Sequence, residues 1–249
     1  MVSKTTDKKT KVKAENKVKK RMISVSFTGK ELLNGEVFDT TSENVAKEND
    51  IYDPKRQFGP LTLIVGEKEM LPLVEKEIET MKEGEERVVK LAIKDGFGER
   101  HADLVRVLPA KVFAEQKINP IPGLIINAGN AMGKVQSVSG GRVRVDFNHL
   151  LAGRELEYTV KVEKEFKTKK EVAEQLFDKY YSIIPNTKKE IKEENLYITI
   201  SSDFMKNVEK VNESVKEIGK AFGIKVTFKE GKAEEKKEIK EEKKADTKE

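Results

Sequence analysis

Beyond a lysine-rich lead, residues Met22 to Thr28 alternate apolar and polar side chains with period two, the mark of a half-buried strand. A turn-prone stretch, Gly29 to Gly35, follows, and Val37-Phe38-Asp39 resumes an extended character, so the chain opens on two strands. Residues 42–60 are polar without a sustained period and are expected to form a long surface excursion. Leu61 to Val65 reads as a strand stopped by Gly66. The period then changes. Leu71, Val74, Ile78 and Met81 recur at spacings of three and four, which predicts an amphipathic helix with Pro72 in its first turn and Gly84 as its stop. Arg87 to Ile93 alternates again, and Asp95-Gly96-Phe97-Gly98 is a turn.

Residues 105–166 hold further β material: Leu124 to Asn127, Ala131 to Val138, a hairpin turn at Ser139-Gly140-Gly141, Val143 to Phe147, and Leu156 to Val162. One helix among many antiparallel strands indicates an α+β fold. After Phe166 the composition shifts to an αβαβ unit: helix over 168–182, strand Leu196 to Ile200, helix Phe204 to Phe222 with Val208, Val211, Val215 and Ile218 on one stripe, and strand Ile224 to Phe228. A unit of that size sits near the lower limit for a self-sufficient core, so docking on the rest of the chain or on a second copy is expected.

Charge refines this division. Of the 249 residues 37% are charged and the formal net charge is +5, yet the first 21 residues hold nine Lys or Arg against Asp7 and Glu15. The last 20 residues mix Lys and Glu evenly, which leaves the body near neutral and argues against a basic nucleic-acid-binding surface there. The expected organisation is a basic tail, 1–21, a discontinuous domain over 22–100 and 149–166, an insert over 101–148, a C-terminal domain over 167–231, and a charged tail, 232–249. No apolar run is long enough to cross a membrane and the lead lacks the apolar stretch of a secretory signal, so a cytoplasmic location is expected.

Standard catalytic equipment is scarce. Cysteine is absent, which excludes thiol catalysis and thiolate metal sites, and His101 and His149 are too few for an imidazole metal cluster. Neither a phosphate loop nor a nucleophile elbow is present. One chemistry needs none of these. Rotation about an X-Pro bond is blocked by amide resonance with a barrier of roughly 18–20 kcal/mol. A dry apolar pocket disfavours the planar, more polar amide relative to the twisted one.

The residues that fit this chemistry also carry a resemblance. Val25 to Gly29, Gly35 to Thr41, Val65-Gly66 with Met70-Leu71-Pro72, Met81 to Glu85, and Phe97-Gly98 stand in the order found in the FKBP-type peptidyl-prolyl isomerases, which the chain resembles. Leu104 to Phe113 and Val145 to Gly153 are similar to the SlyD-like branch, whose insert-in-flap chaperone domain interrupts the isomerase. Residues 167–231 resemble the extra C-terminal domain of long archaeal members. The resemblance implies an antiparallel sheet wrapped on one helix, a small β-rich insert, and the αβαβ unit behind them.

It further implies a proline pocket built from Phe27, Phe38, Leu61, Met70, Leu71, Val74, Phe97, Leu151 and Tyr158. Asp39 is its one acid, the Leu71 N–H faces a bound carbonyl, and His149 orients the pocket mouth. No cofactor and no metal are implied. The family often has Tyr where Phe27 and Phe97 stand and Gly where Leu73 stands, and Val74 replaces a larger residue, so a wider pocket floor with fewer hydroxyl contacts is expected. The implied partners are unfolded or proline-containing polypeptides captured by the insert. A non-catalytic holdase is the competing reading. Ribosomal RNA at the basic lead and a homodimer through the C-terminal domain complete the expectations.

Overall fold

A computed structural model describes residues 20–129 and 131–231. Most of the basic lead and the whole of the 232–249 tail therefore lie outside the described residues, with the expectations attached to them.

The alternating opening forms β1 (Met22–Glu31), which pairs antiparallel with β2 (Val37–Thr40). The stretch expected as irregular contains a short helix, α1 (Glu43–Glu48), started by the Ser42 hydroxyl accepting from the Val45 N–H. Only Ala46 of that helix is buried, so it shows no apolar period. Next come β3 (Leu61–Ile64), also on β1, then α2 (Pro72–Thr80) and β4 (Glu86–Leu91). Helix α2 starts with Pro72 at its first position, where the missing N–H costs nothing. It buries Val74 and Ile78, with Met81 just beyond, against the sheet.

The chain then leaves this sheet. A second sheet is built from β5 (Val105–Pro109), β6 (Ile125–Ala128), β7 (Ala131–Ser139) and β8 (Arg142–Asp146), in the order β5-β8-β7-β6, with helix α3 (Ala110–Glu115) beside it. Strand β5 and helix α3 add to the strands expected there. The chain returns as β9 (Leu156–Phe166), which runs beside β1 from Leu156↔Glu31 to Phe166↔Met22 and closes the first sheet as β2-β1-β9-β4.

The C-terminal part corrects the αβαβ expectation by one strand. It contains α4 (Lys169–Tyr181), β10 (Lys188–Lys192), β11 (Asn195–Ser201), α5 (Ser202–Met205), α6 (Glu209–Ala221) and β12 (Lys225–Gly231). Strand β10 carries one apolar residue, Ile191, among charges, as edge strands do, and so has no apolar alternation to read. The helix expected over 204–222 is broken before α6, where Val208 leaves helical angles at φ −108° and ψ 11°. Strands β11 and β12 pair in parallel. This unit docks on the rest of the chain: Met22 and Ile64 enter its hydrophobic cluster, and Lys179 Nζ and Gln175 Oε1 bond the Thr62 carbonyl and hydroxyl at 2.6 and 2.7 Å.

Candidate functional site

The first sheet gathers the predicted aromatics. Phe27, Val74 and Tyr158 are buried in one cluster, and Phe38, Met70, Leu71, Leu73 and Phe97 pack against it. Tyr158 lies between two rings, 5.9 Å from Phe27 and 5.6 Å from Phe38, the latter edge-on at 73°. Such tilted arrangements match ring edges to ring faces.

The backbone that presents these rings is fixed by threonines. Thr41 Oγ1 accepts from the Phe27 N–H at 2.9 Å, the Thr41 N–H returns to the Phe27 carbonyl, and the Thr28 and Thr40 hydroxyls meet at 2.8 Å. Between them Gly29 is required by space. A Cβ there would stand 2.6 Å from Phe38 Cζ and 3.2 Å from Tyr158 Cε1. Behind the helix start, Glu75 is buried and its Oε1 accepts from the Gly66 and Lys68 N–H groups at 2.8 and 3.1 Å, which holds the turn that carries Met70 and Leu71.

Asp39 is partnered by a residue the sequence did not point to. Arg56 Nη1 stands 2.7 Å from Asp39 Oδ1, an ion pair whose N–H is not aligned for a hydrogen bond. Phe27 has no hydroxyl to offer this acid, and the guanidinium comes from the 49–60 loop. That loop is ordered by Tyr52 stacked on Phe58 at 5.5 Å, with the Arg56 guanidinium over the Phe58 ring. Burial first, and the Asp39 charge second, push the Tyr158 hydroxyl up to about 12, so it stays protonated at neutral pH.

The return segment packs on the Phe97 edge of this cluster. His149 stacks on Phe97 with ring centres 4.0 Å apart and planes 8° from parallel. Its Nδ1 accepts from the Leu151 N–H at 3.2 Å, which in the neutral ring puts the proton on Nε2. Gly153 donates to the Gly98 carbonyl at 2.8 Å, tying the Phe97 turn to the same segment. Leu151 lines a neighbouring polar cleft of about 520 Å³ rather than the aromatic cluster. Leu61 stands apart at the start of β3, 43% exposed, while Leu63 from the same strand enters the core.

A second concavity, about 310 Å³, is lined by Ile125, Met132, Gly133 and the run Phe147-Asn148-His149-Leu150. It is mostly apolar, and Ile125 and Met132 are 50% and 59% exposed. His149 is therefore shared between the aromatic cluster, through Phe97, and this groove. Of its lining only His149 was among the predicted site residues; the stretch from Pro120 to Val138 that supplies Ile125 and Met132 carries a single charge, Lys134. No group of three or more acidic or histidine side chains suited to a metal occurs among the described residues, and no described helix is long and apolar enough to cross a membrane.

Comparison with known proteins gives the following. The profile of the FKBP-type peptidyl-prolyl cis-trans isomerases matches residues 13–113, and that of the FKBP26 IF domain matches residues 106–151. The chain is 39% identical over 130 residues to the short-type peptidyl-prolyl cis-trans isomerase of Methanocaldococcus jannaschii, covering 52% of this chain and 83% of the relative. It is 32% identical over 117 residues to the FKBP-type isomerase SlyD of Vibrio cholerae, covering 45% of this chain and 57% of that protein. A probable FKBP-type 16 kDa isomerase of Pseudomonas fluorescens is 27% identical over 121 residues, 47% of this chain and 79% of the relative.

Proposed function

The chain belongs to the SlyD-like FKBP-type peptidyl-prolyl cis-trans isomerases, and from that premise we propose that it is a two-site folding helper: an apolar pocket turns X-Pro bonds while the insert holds the unfolded chain that carries them. The observation that carries this reading is the convergence of Phe27, Phe38, Phe97 and Tyr158 with Met70, Leu71 and Val74 on one cluster, with Asp39 the only acid drawn from the predicted set. In such a site the twisted amide, which has lost resonance and charge separation, is favoured over the planar one. Proton transfer is not needed. Val74 floors the pocket, the Leu71 N–H at the start of α2 meets the substrate carbonyl, and His149 with Phe97 forms the wall next to the insert. Leu61 and Leu151 stand outside the aromatic cluster, and in this reading they meet client residues that flank the proline rather than the proline itself. Asp39, held by Arg56, fixes the 49–60 loop beside the rings.

The insert's part in this reading is supported by the groove around Met132. An exposed apolar patch of this kind marks an interaction site, and holding a client beside the pocket raises the local concentration of its prolines. The competing reading, a holdase without useful catalysis, draws on the same groove. The C-terminal domain already covers its core with Met22 and Ile64 of its own chain, so pairing of two chains is not needed to complete it. Contact of the lead with ribosomal RNA rests on its charge alone. The proposed site of action is the cytoplasm.

The test is isomerisation of a proline tetrapeptide by the full chain and by Phe97→Ala. We expect acceleration by the full chain and a loss of tenfold or more in kcat/KM for the variant. Rates equal to solvent for both would leave the holdase reading.

A further inference from the structure

We propose that Asn148 is a positioning residue that locks the insert against the proline pocket, so that a client held on the insert presents its prolines at a fixed place. The proposal rests on the two-site reading above. The insert joins the isomerase through only two strands of chain, around residues 100–104 and 147–149, and two crossings of that kind would ordinarily form a hinge. Here they are bridged. The backbone ladder between β5 and β8 ends at Val105↔Asp146 and gains one more bond, the Phe147 N–H to the Leu104 carbonyl at 3.0 Å.

Beyond that point the side-chain amide of Asn148 continues the pairing. Its Oδ1 accepts from the His101 N–H at 2.8 Å and its Nδ2 donates to the His101 carbonyl at 2.9 Å, so one amide meets both backbone groups of one residue, as a partner strand would. The side chain is 7% exposed and has little room to turn.

Asp146 holds the amide in place. Its Oδ1 accepts from Asn148 Nδ2 at 2.7 Å and from the Asn148 N–H at 3.0 Å, while Oδ2 takes Gln136 Nε2 at 3.2 Å and is paired with Arg100. Burial disfavours the Asp146 charge, but the Asn148 bonds and the Arg100 charge outweigh it and hold the carboxyl below its usual range. An ionised Asp146 can only accept, which orients the amide with Nδ2 toward it and leaves Oδ1 for His101. The neighbours on either side of Asn148 belong to the two sites. Phe147 packs on the insert core and lines its groove, and His149 lies flat on Phe97. Three consecutive residues thus connect groove, lock and pocket.

The test compares wild type with Asn148→Ala in the full chain on two substrates. On a proline tetrapeptide, kcat/KM is expected within twofold of wild type. On proline-limited refolding of a protein, kcat is expected to fall about tenfold with KM within twofold of wild type, because Asn148 contributes only a polar edge to the groove and its apolar lining, Ile125, Met132, Phe147 and Leu150, is left in place while presentation is lost.

A second readout needs no activity. The chain has no cysteine, so spin labels on Lys76→Cys in α2 and Val138→Cys in the insert report one distance; its distribution should broaden in Asn148→Ala. A distribution as narrow as wild type, or unchanged refolding kcat, overturns the proposal. If Asn148→Ala does not fold, Arg100→Met decides, with the same direction and a smaller loss. The groove variant Met132→Ser separates the premise from the lock: no change in refolding KM there sinks the two-site reading, whereas a raised KM with wild-type behaviour at position 148 sinks the lock alone.

Discussion

The isomerase sheet and the insert sheet treat apolar side chains differently. The first buries fourteen apolar residues around α2, among them Ile23, Val25, Leu156, Val160 and Val162, against six large ones left exposed in that domain, Leu32, Leu33, Tyr52, Leu61, Val88 and Leu150. The insert buries five, Phe113, Ile126, Val135, Val143 and Val145, and leaves Val107, Val112, Ile121, Ile125, Met132 and Val138 exposed. A four-stranded sheet with a single short helix can cover only part of its surface. The isomerase sheet commits most of its apolar residues to one core, the frame of the proposed pocket; the insert keeps about as many outside as inside, which suits the proposed surface for varied chains.

The two regions nevertheless share one device. Gly29 in β1 lets Phe38 and Tyr158 lie against bare backbone, and Gly133 in β7 does the same for Phe147. A Cβ at Gly133 would stand 2.7 Å from Val145 Cγ1 and 2.8 Å from Phe147 Cδ1. Each proposed binding site is an aromatic seated on a strand glycine.

The largest effect that could break the comparison is expected from Phe113→Ala. Truncating a buried Phe costs roughly 3–5 kcal/mol, which a five-residue core cannot absorb. We expect residues 105–146 to lose their dispersed amide resonances while tetrapeptide isomerisation persists and protein refolding catalysis disappears. Collapse of both activities would make the two regions one cooperative unit.

Many of the strands and helices were legible beforehand, and the reasons differ by element. Strands β1, β3, β7, β8 and β9 and helix α2 have an apolar face to bury, so their period showed. Helix α1 buries one residue and β10 presents one Ile among charges, so neither had a period to show. Of the site, the motif order pointed to Phe27, Phe38, Phe97 and Tyr158. Arg56 and the bridge from Asn148 to His101 depend on loops meeting across 17 and 47 residues of chain, and polar pairs at such separations leave no local pattern.

The glycine pair comes next in size. Overpacking by one methyl costs about 1–3 kcal/mol, and its functional consequence should divide by region. Gly29→Ala displaces Phe38 or Tyr158 and is expected to lower tetrapeptide kcat several-fold. Gly133→Ala displaces Phe147 and should leave the tetrapeptide rate alone while raising KM for a refolding protein. Identical profiles for the two would show that the sites are not separate.

Alkaline pH offers a smaller contrast. Tyr158 in the isomerase and Tyr180 in the C-terminal domain are both held at about 12, by burial first and by nearby acids second, against an ordinary value of 10.0. Below pH 10 both states keep these protons and stability is unaffected. Between pH 10 and about 12 the unfolded chain loses protons that the folded chain retains, so stability falls with pH and levels off above the folded value. Residues 101–148 contain no tyrosine. Urea midpoints followed together with phenolate absorbance should therefore fall for the isomerase sheet, with a shallower slope in Tyr158→Phe, while insert resonances show no phenolate-linked loss.

The smallest stability effect carries the sharpest information. Met132 is exposed on the groove, so Met132→Ser should change the unfolding free energy by no more than about 0.5 kcal/mol. Removing its flexible apolar chain should nonetheless raise KM for a refolding protein several-fold, since an unbranched thioether adapts to differently shaped apolar segments. Tetrapeptide kinetics, which bypass the groove, should not move. A stability loss well above that bound would mean that Met132 is packed rather than free, and the insert would then have to be counted with the isomerase as a sheet that keeps its apolar residues for itself.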